Sequence, residues 1–149
     1  MAHLPTLRLA VALAAAAALQ AAAATADSNK ETDERAALHA IVQYVAVRTY
    51  LPEQLCRTAS PGVRAEVDEI VERFRSRFPE LVRLAEASPL FAEANQPNVR
   101  TVSEYAGRSP QEQDDACLQL GQEIAVDLRG DQAYFDKWTR ALRRQAEGR

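Results

Sequence analysis

Two cysteines, one histidine beyond the N-terminal stretch, several acidic pairs and a late run of cations are the residues of this chain whose chemistry depends on what stands near them. Cys56 and Cys117 allow a single intramolecular pairing. A bridge there closes a loop of roughly 60 residues, for which chain-entropy arithmetic gives about 4 kcal/mol as an upper figure. Their spacing is unlike C-x-x-C, and no neighbouring histidine is placed to lower a thiol pKa, so the pair reads as structural rather than redox-active.

His39 stands beside Leu38 on a helical stripe. A zinc site would need more His and Cys ligands than the chain has once its cysteines are paired. A general base would need a nucleophile, and no motif marks one. Asp114-Asp115, Glu66-Asp68-Glu69 and Glu31-Asp33-Glu34 fit solvated helix faces, and Asp114 and Asp115 sit near the favourable N-terminal end of their helix dipole. G-x-S-x-G, a phosphate-binding glycine loop, H-E-x-x-H and a calcium loop are all missing from the sequence. No cofactor or metal is therefore expected, and no catalytic residue is nominated. A hydrolase using carboxylates alone is the enzymatic alternative.

Lys137, Arg140 and Arg144 share one face of the last helix. They can serve the helix dipole or contact an acidic partner or anionic lipid. Leu81, Leu84, Leu90 and Phe91 fall on short helices that cannot easily bury all of them. Whatever part stays exposed joins those cations as the candidate contact surface.

The elements that must position these residues are helical. The N-terminal stretch is a separate matter: Arg8 precedes an apolar run from Leu9 to Leu19, and Ala24-Thr25-Ala26 fits a small-x-small cleavage site. A signal peptide is expected at 1–26 and one exported domain, periplasmic or secreted, at 27–149. The apolar run is short, rich in alanine and ends at Gln20, so it makes a poor membrane span, and no later run reaches spanning length. Cleavage would remove Arg8 and no acid, leaving a chain one charge more negative than the formal −3 of the whole. That balance argues against nucleic acid as a partner. Export also implies an oxidising compartment, where paired cysteines bridge.

Ser-Pro occurs at Ser60-Pro61, Ser88-Pro89 and Ser109-Pro110, the combination that opens helices. Ser109 with Glu112 and Ser28 with Glu31 match the capping box. The spacing predicts a first helix from Lys30 to Tyr50, broken at Leu51-Pro52, with Leu38, Ile41, Val42, Val45 and Thr49 inward. A second runs from Pro61 to Phe78 on Val63, Val67, Ile70, Phe74 and Phe78. Shorter pieces follow at Glu80 to Ala87 and Pro89 to Ala94. Residues Asn95 to Arg108 read as the least regular, with a short helix around Val102 to Ala106. A long helix from Pro110 to Arg129 points Cys117, Leu120, Gly121, Ile124 and Leu128 inward, with Gly130 as its C′ residue. Asp131 caps a last helix, Gln132 to Ala146, which buries Tyr134 or Phe135 with Trp138 and Leu142.

The expected fold is a small all-α bundle of four to six helices with one disulfide. In outline it resembles the small acid-stress chaperones of the periplasm, which are exported, helical, closed by one disulfide and finished by an aromatic, basic helix. The cysteine spacing and flanks depart from that family's pattern, and no motif residue corresponds one for one. The resemblance implies a holdase. The residues themselves favour a non-enzymatic protein that binds another protein, of adaptor, inhibitor or immunity type. The sequence leaves the oligomeric state open.

Overall fold

Alanine-rich and amphipathic segments make this a helical chain throughout its described length. A computed structural model describes residues 6–149, with side chains from Asp27 onward. The expected leader at 1–26 therefore falls outside the fully described residues. The helices are α1 (Thr6–Leu55), α2 (Pro61–Arg77), α3 (Pro79–Glu86), α4 (Phe91–Ala94), α5 (Gln96–Tyr105), α6 (Pro110–Asp127) and α7 (Gln132–Ala146), with a 3-10 turn at Cys56–Thr58. α4 is a single turn of 4 residues. The described residues contain no strand, so the fold is the all-α bundle that the sequence pattern requires. No helix among the described residues is long and apolar enough to cross a membrane. The chain forms two units, Met1–Ala37 and Leu38–Arg149. Within the first, residues 27–37 are exposed. The second holds the core.

That core is built from the predicted stripes. Val42, Val45, Phe74, Leu81, Ile124 and Leu142 are almost wholly buried. α2 packs along α6, and α3 along α7. Aromatic rings join these layers: Phe78 stacks on Phe135 with centroids 4.0 Å apart, and Phe74 meets Phe78 edge-on at 5.2 Å. Of the two candidates on α7, Phe135 is buried and Tyr134 is 64% exposed. Cys56 and Cys117 form the disulfide, with Cα atoms 5.2 Å apart. It sits in a buried side cluster with Val67, against which Val63 and Val71 pack.

Several local expectations change. α1 does not break at Leu51-Pro52 but runs to Leu55 with Pro52 inside it. Leu51, Pro52 and Leu55 are all buried and Cys56 is bridged immediately afterwards, so tertiary packing outweighs proline's local penalty. Ser28 is not a cap. It lies within α1, where its carbonyl accepts from the Thr32 hydroxyl at 2.9 Å. The alanine-rich residues before it favour helix strongly enough to carry the helix past it. The stretch from Asn95 is more regular than its Asn and Pro content suggests. Pro97 occupies the first turn of α5, where no N–H is required. Asn98 is buried and donates through Nδ2 to Asn95 Oδ1 at 2.9 Å. Gly130 does not take the left-handed conformation; Gly148 is the glycine with positive φ. Gly130 is needed for space instead, since a Cβ there would stand 3.0 Å from the Asp127 carbonyl oxygen and 3.2 Å from the Phe135 ring.

The Ser-Pro motifs differ in how they work. Ser109 makes the full capping box: Glu112 N–H donates to its Oγ at 3.3 Å, and Ser109 N–H donates back to Glu112 Oε2 at 2.9 Å. Ser60 makes no side-chain cap; its N–H donates to Asp114 Oδ1 at 2.7 Å. Ser88 Oγ accepts from Leu90 N–H and donates to Gln145 Oε1, tying the turn before α4 to α7.

Candidate functional site

α7 carries the candidate surface, and its placement begins with its ends. Asp131 caps it by accepting from Ala133 N–H at 2.9 Å. Phe135, Trp138 and Leu142 then turn inward. Arg143 fixes its far half, donating through Nε to Glu80 Oε1 at 3.0 Å and through Nη2 to Glu80 Oε2 at 2.6 Å. These hydrogen bonds, and then the Glu80 charge, raise the Arg143 pKa above its ordinary value.

The opposite face of the helix carries Lys137, Arg140 and Arg144, all exposed. None has an ion-pair partner among the described residues. Their spacing of three and four residues stacks them along about 10 Å of helix. Tyr134 borders them. Its exposed ring meets the half-buried Trp138 edge-on at 6.1 Å, and Trp138 meets Tyr44 of α1 at 4.8 Å. A chain of aromatic rings thus leads from the solvent down to the core beside the cations. The sequence left Tyr134 and Phe135 as alternatives for burial. A one-residue step turns a helix by about 100°, so burial of Phe135 by itself put Tyr134 outside.

The apolar half of the expected contact surface is not on the surface. Leu81, Leu84 and Leu90 are buried at 1%, 7% and 3% exposure. Phe91 is half-buried, edge-on to Tyr50 at 6.5 Å. The reason is geometric: α3 packs against α7 while Pro79 and the turn at Ser88 let the short pieces fold back, so each apolar face finds the common core.

The other candidates each have a local partner. Asp114 accepts from Ser60 N–H, and Asp115 accepts from Gln111 Nε2 at 2.9 Å, so the two carboxylates do not converge. His39 is partly exposed and lies 3.9 Å from Glu93, an ion pair when the imidazole is protonated. No group of three or more His, Cys, Asp or Glu among the described residues could hold a metal.

Two features were illegible beforehand. Arg48 of α1 donates through Nε to Asp127 Oδ2 of α6 at 2.7 Å, and its guanidinium lies 3.6 Å from the centre of the Tyr44 ring. Burial pushes the Tyr44 pKa up to about 12, with the Asp127 carboxylate adding to the rise and the Arg48 guanidinium opposing it. Tyr105 of α5 and Leu55 of α1 both line two hollows of about 200 Å³ each. One is lined by Gln54, Arg57, Thr58 and Val102, the other by Leu51, Ala116, Gln119 and Leu120. Both are shallow and hold no convergent set of reactive groups. The sequence carried no sign of either, because their walls come from α1, the 3-10 turn, α5 and α6.

Compared with known proteins, the chain matches no family model, no curated protein and no solved structure.

Proposed function

We propose that this is an exported domain that works without catalysis, by binding another protein through the outward side of α7. The observation that carries the reading is Tyr134, 64% exposed and braced against Trp138, beside Lys137, Arg140 and Arg144. Tyr, Trp and Arg are the residue types that anchor protein interfaces, the aromatics because they offer a large contact area at a small entropic cost and Arg because its planar fork of donors binds carboxylates. An isolated exposed tyrosine would need no explanation. A braced one next to cations without partners is better suited to contact. Export is supported by the leader-like sequence of residues 1–26 and by the buried disulfide, which suits an oxidising compartment.

The test is capture of the tagged chain from the envelope of its own host, with the bound proteins identified by mass spectrometry. One stoichiometric partner supports the reading. A broad set of weakly bound proteins points instead to a holdase, and a specific turnover by the purified chain would sink the non-enzymatic reading.

A further inference from the structure

We infer that the solvent face of α7 docks an acidic segment of the partner protein, a step that rests on the protein-binding reading above. Elsewhere many of the described cations are answered within the fold, and those with neither an ion-pair nor a hydrogen-bond partner among the described residues, Lys30, Arg57, Arg83, Arg100 and Arg129, stand on separate elements and turns rather than in a stripe. Arg48 pairs with Asp127, Arg64 with Asp68, Arg73 with Glu69, Arg75 with Glu86 and Arg143 with Glu80. Lys137, Arg140 and Arg144 stand together with no carboxylate of the described residues within ion-pair distance, in a chain whose formal charge is −3.

The helix dipole explains only part of that stripe. Its effect is confined to the last turn, which on α7 holds Arg143 and Arg144. Lys137 lies in the first half of the helix and Arg140 beyond the reach of the C-terminal carbonyls. Arg140 and Arg144 also stand four residues apart, a spacing at which like charges repel. Asp136, four residues before Arg140, offsets part of that repulsion in the isolated helix, and an external anion would offset the rest.

A protein fits this anion better than a membrane does. A helix that lies in a lipid surface buries its apolar face there. On α7 that face is already used, with Phe135, Trp138 and Leu142 packed inside the domain. A protein segment meets only the local stripe, because screening confines charge to about 8 Å at physiological salt. An extended segment rises about 3.3 Å per residue, so three or four residues span the cations while an apolar neighbour covers Tyr134.

The experiment has two arms. In the first, a labelled poly-glutamate peptide and vesicles of phosphatidylglycerol with phosphatidylethanolamine are titrated with the whole chain and with K137E/R140E/R144E. The K137Q/R140Q/R144Q variant keeps the helix while removing charge, and circular dichroism verifies the fold of both. The expected result is peptide binding that falls about tenfold or more in each variant and at about 1 M salt. Equal peptide binding by all three chains, or no peptide binding by the wild-type chain, overturns the inference. So does charge-dependent binding to vesicles alone, which would assign the face to lipid.

In the second arm, wild-type and K137E/R140E/R144E chains are used for capture in the host. Loss of a stoichiometric partner on charge reversal supports the inference. The same partner held by both chains overturns this surface but leaves the protein-binding reading standing. A wild-type chain that captures no stoichiometric partner removes that reading, and this inference with it.

Discussion

Arg48 and Asp127 lie 79 positions apart in the sequence and meet at 2.7 Å. Each side chain is only about a fifth exposed, at 19% and 21%, so solvent does not fully replace a lost partner. D127A leaves the guanidinium half-desolvated and without its carboxylate. It should lower stability by about 2 kcal/mol. R48M, which keeps the aliphatic stem against Tyr44, should cost less. A double-mutant cycle in urea is expected to give a coupling of about 1 kcal/mol, and a value near zero would show that the pair is no tie between α1 and α6.

The phenol of Tyr44 makes a pH prediction. Burial is the main cause of its raised pKa, about 12 against an ordinary 10.0, with the nearby Asp127 adding to it and Arg48 opposing. The folded state thus holds the phenolic proton more tightly than the unfolded chain does. The resulting stability is fully present below about pH 10 and is lost as pH rises towards 12. Thermal melts of Y44F should show a shallower alkaline decline than wild type. Spectroscopic titration of tyrosinate should lose its latest component in the same variant.

Bridging Cys56 and Cys117 spans 61 positions. C56S/C117S should therefore destabilise the domain by up to about 4 kcal/mol, the chain-entropy figure for such a loop. Both cysteines are buried, at 1% and 0% exposure, so the bond should resist reduction in the native state and be reduced readily in urea. Thiol labelling with and without denaturant reads this directly.

Serine caps should not behave alike. S109A removes the acceptor for Glu112 N–H and should cost about 1 kcal/mol. S60A should be near neutral, because Ser60 makes no side-chain cap and its N–H donation to Asp114 is untouched. The Glu112 carboxyl is held below its ordinary pKa of 4.5, chiefly by the Ser109 N–H and then by its hydroxyl. The capping contribution is thus present above that value and lost as pH falls through the lower folded one. Denaturation melts of S109A and S60A at neutral and acid pH check both points.

Glycine positions separate in the same way. A Cβ on Gly121 would lie 2.9 Å from Val67 Cγ2, at the close approach of α6 to α2. G121A should cost about 1–3 kcal/mol by overpacking, and V67A in the same chain should recover part of it. A Cβ on Gly62, near the start of α2, would meet nothing within 4 Å. G62A should therefore be neutral or stabilising by up to about 1 kcal/mol. Comparative melts that rank these variants in another order would contradict the packing of α2 on α6.

Read by itself, the sequence determined the helical class, the inward stripes on α1, α2, α6 and α7, the capping box at Ser109 and the single possible cysteine pairing. These follow from local periodicity, capping chemistry and counting, none of which needs a long-range contact. Tertiary structure decided the rest. It carried α1 through Pro52, because burial there outweighs a local penalty. It chose Phe135 over Tyr134 for the core, since only the docking of α7 on α3 fixes which of two adjacent residues faces inward. It buried Leu81, Leu84 and Leu90, withdrawing them from the expected contact surface, and left Lys137, Arg140 and Arg144 outside. It also created the meeting of Tyr44, Arg48 and Asp127. Such a contact depends on how two distant helices cross, and no residue type or spacing along one chain segment records that.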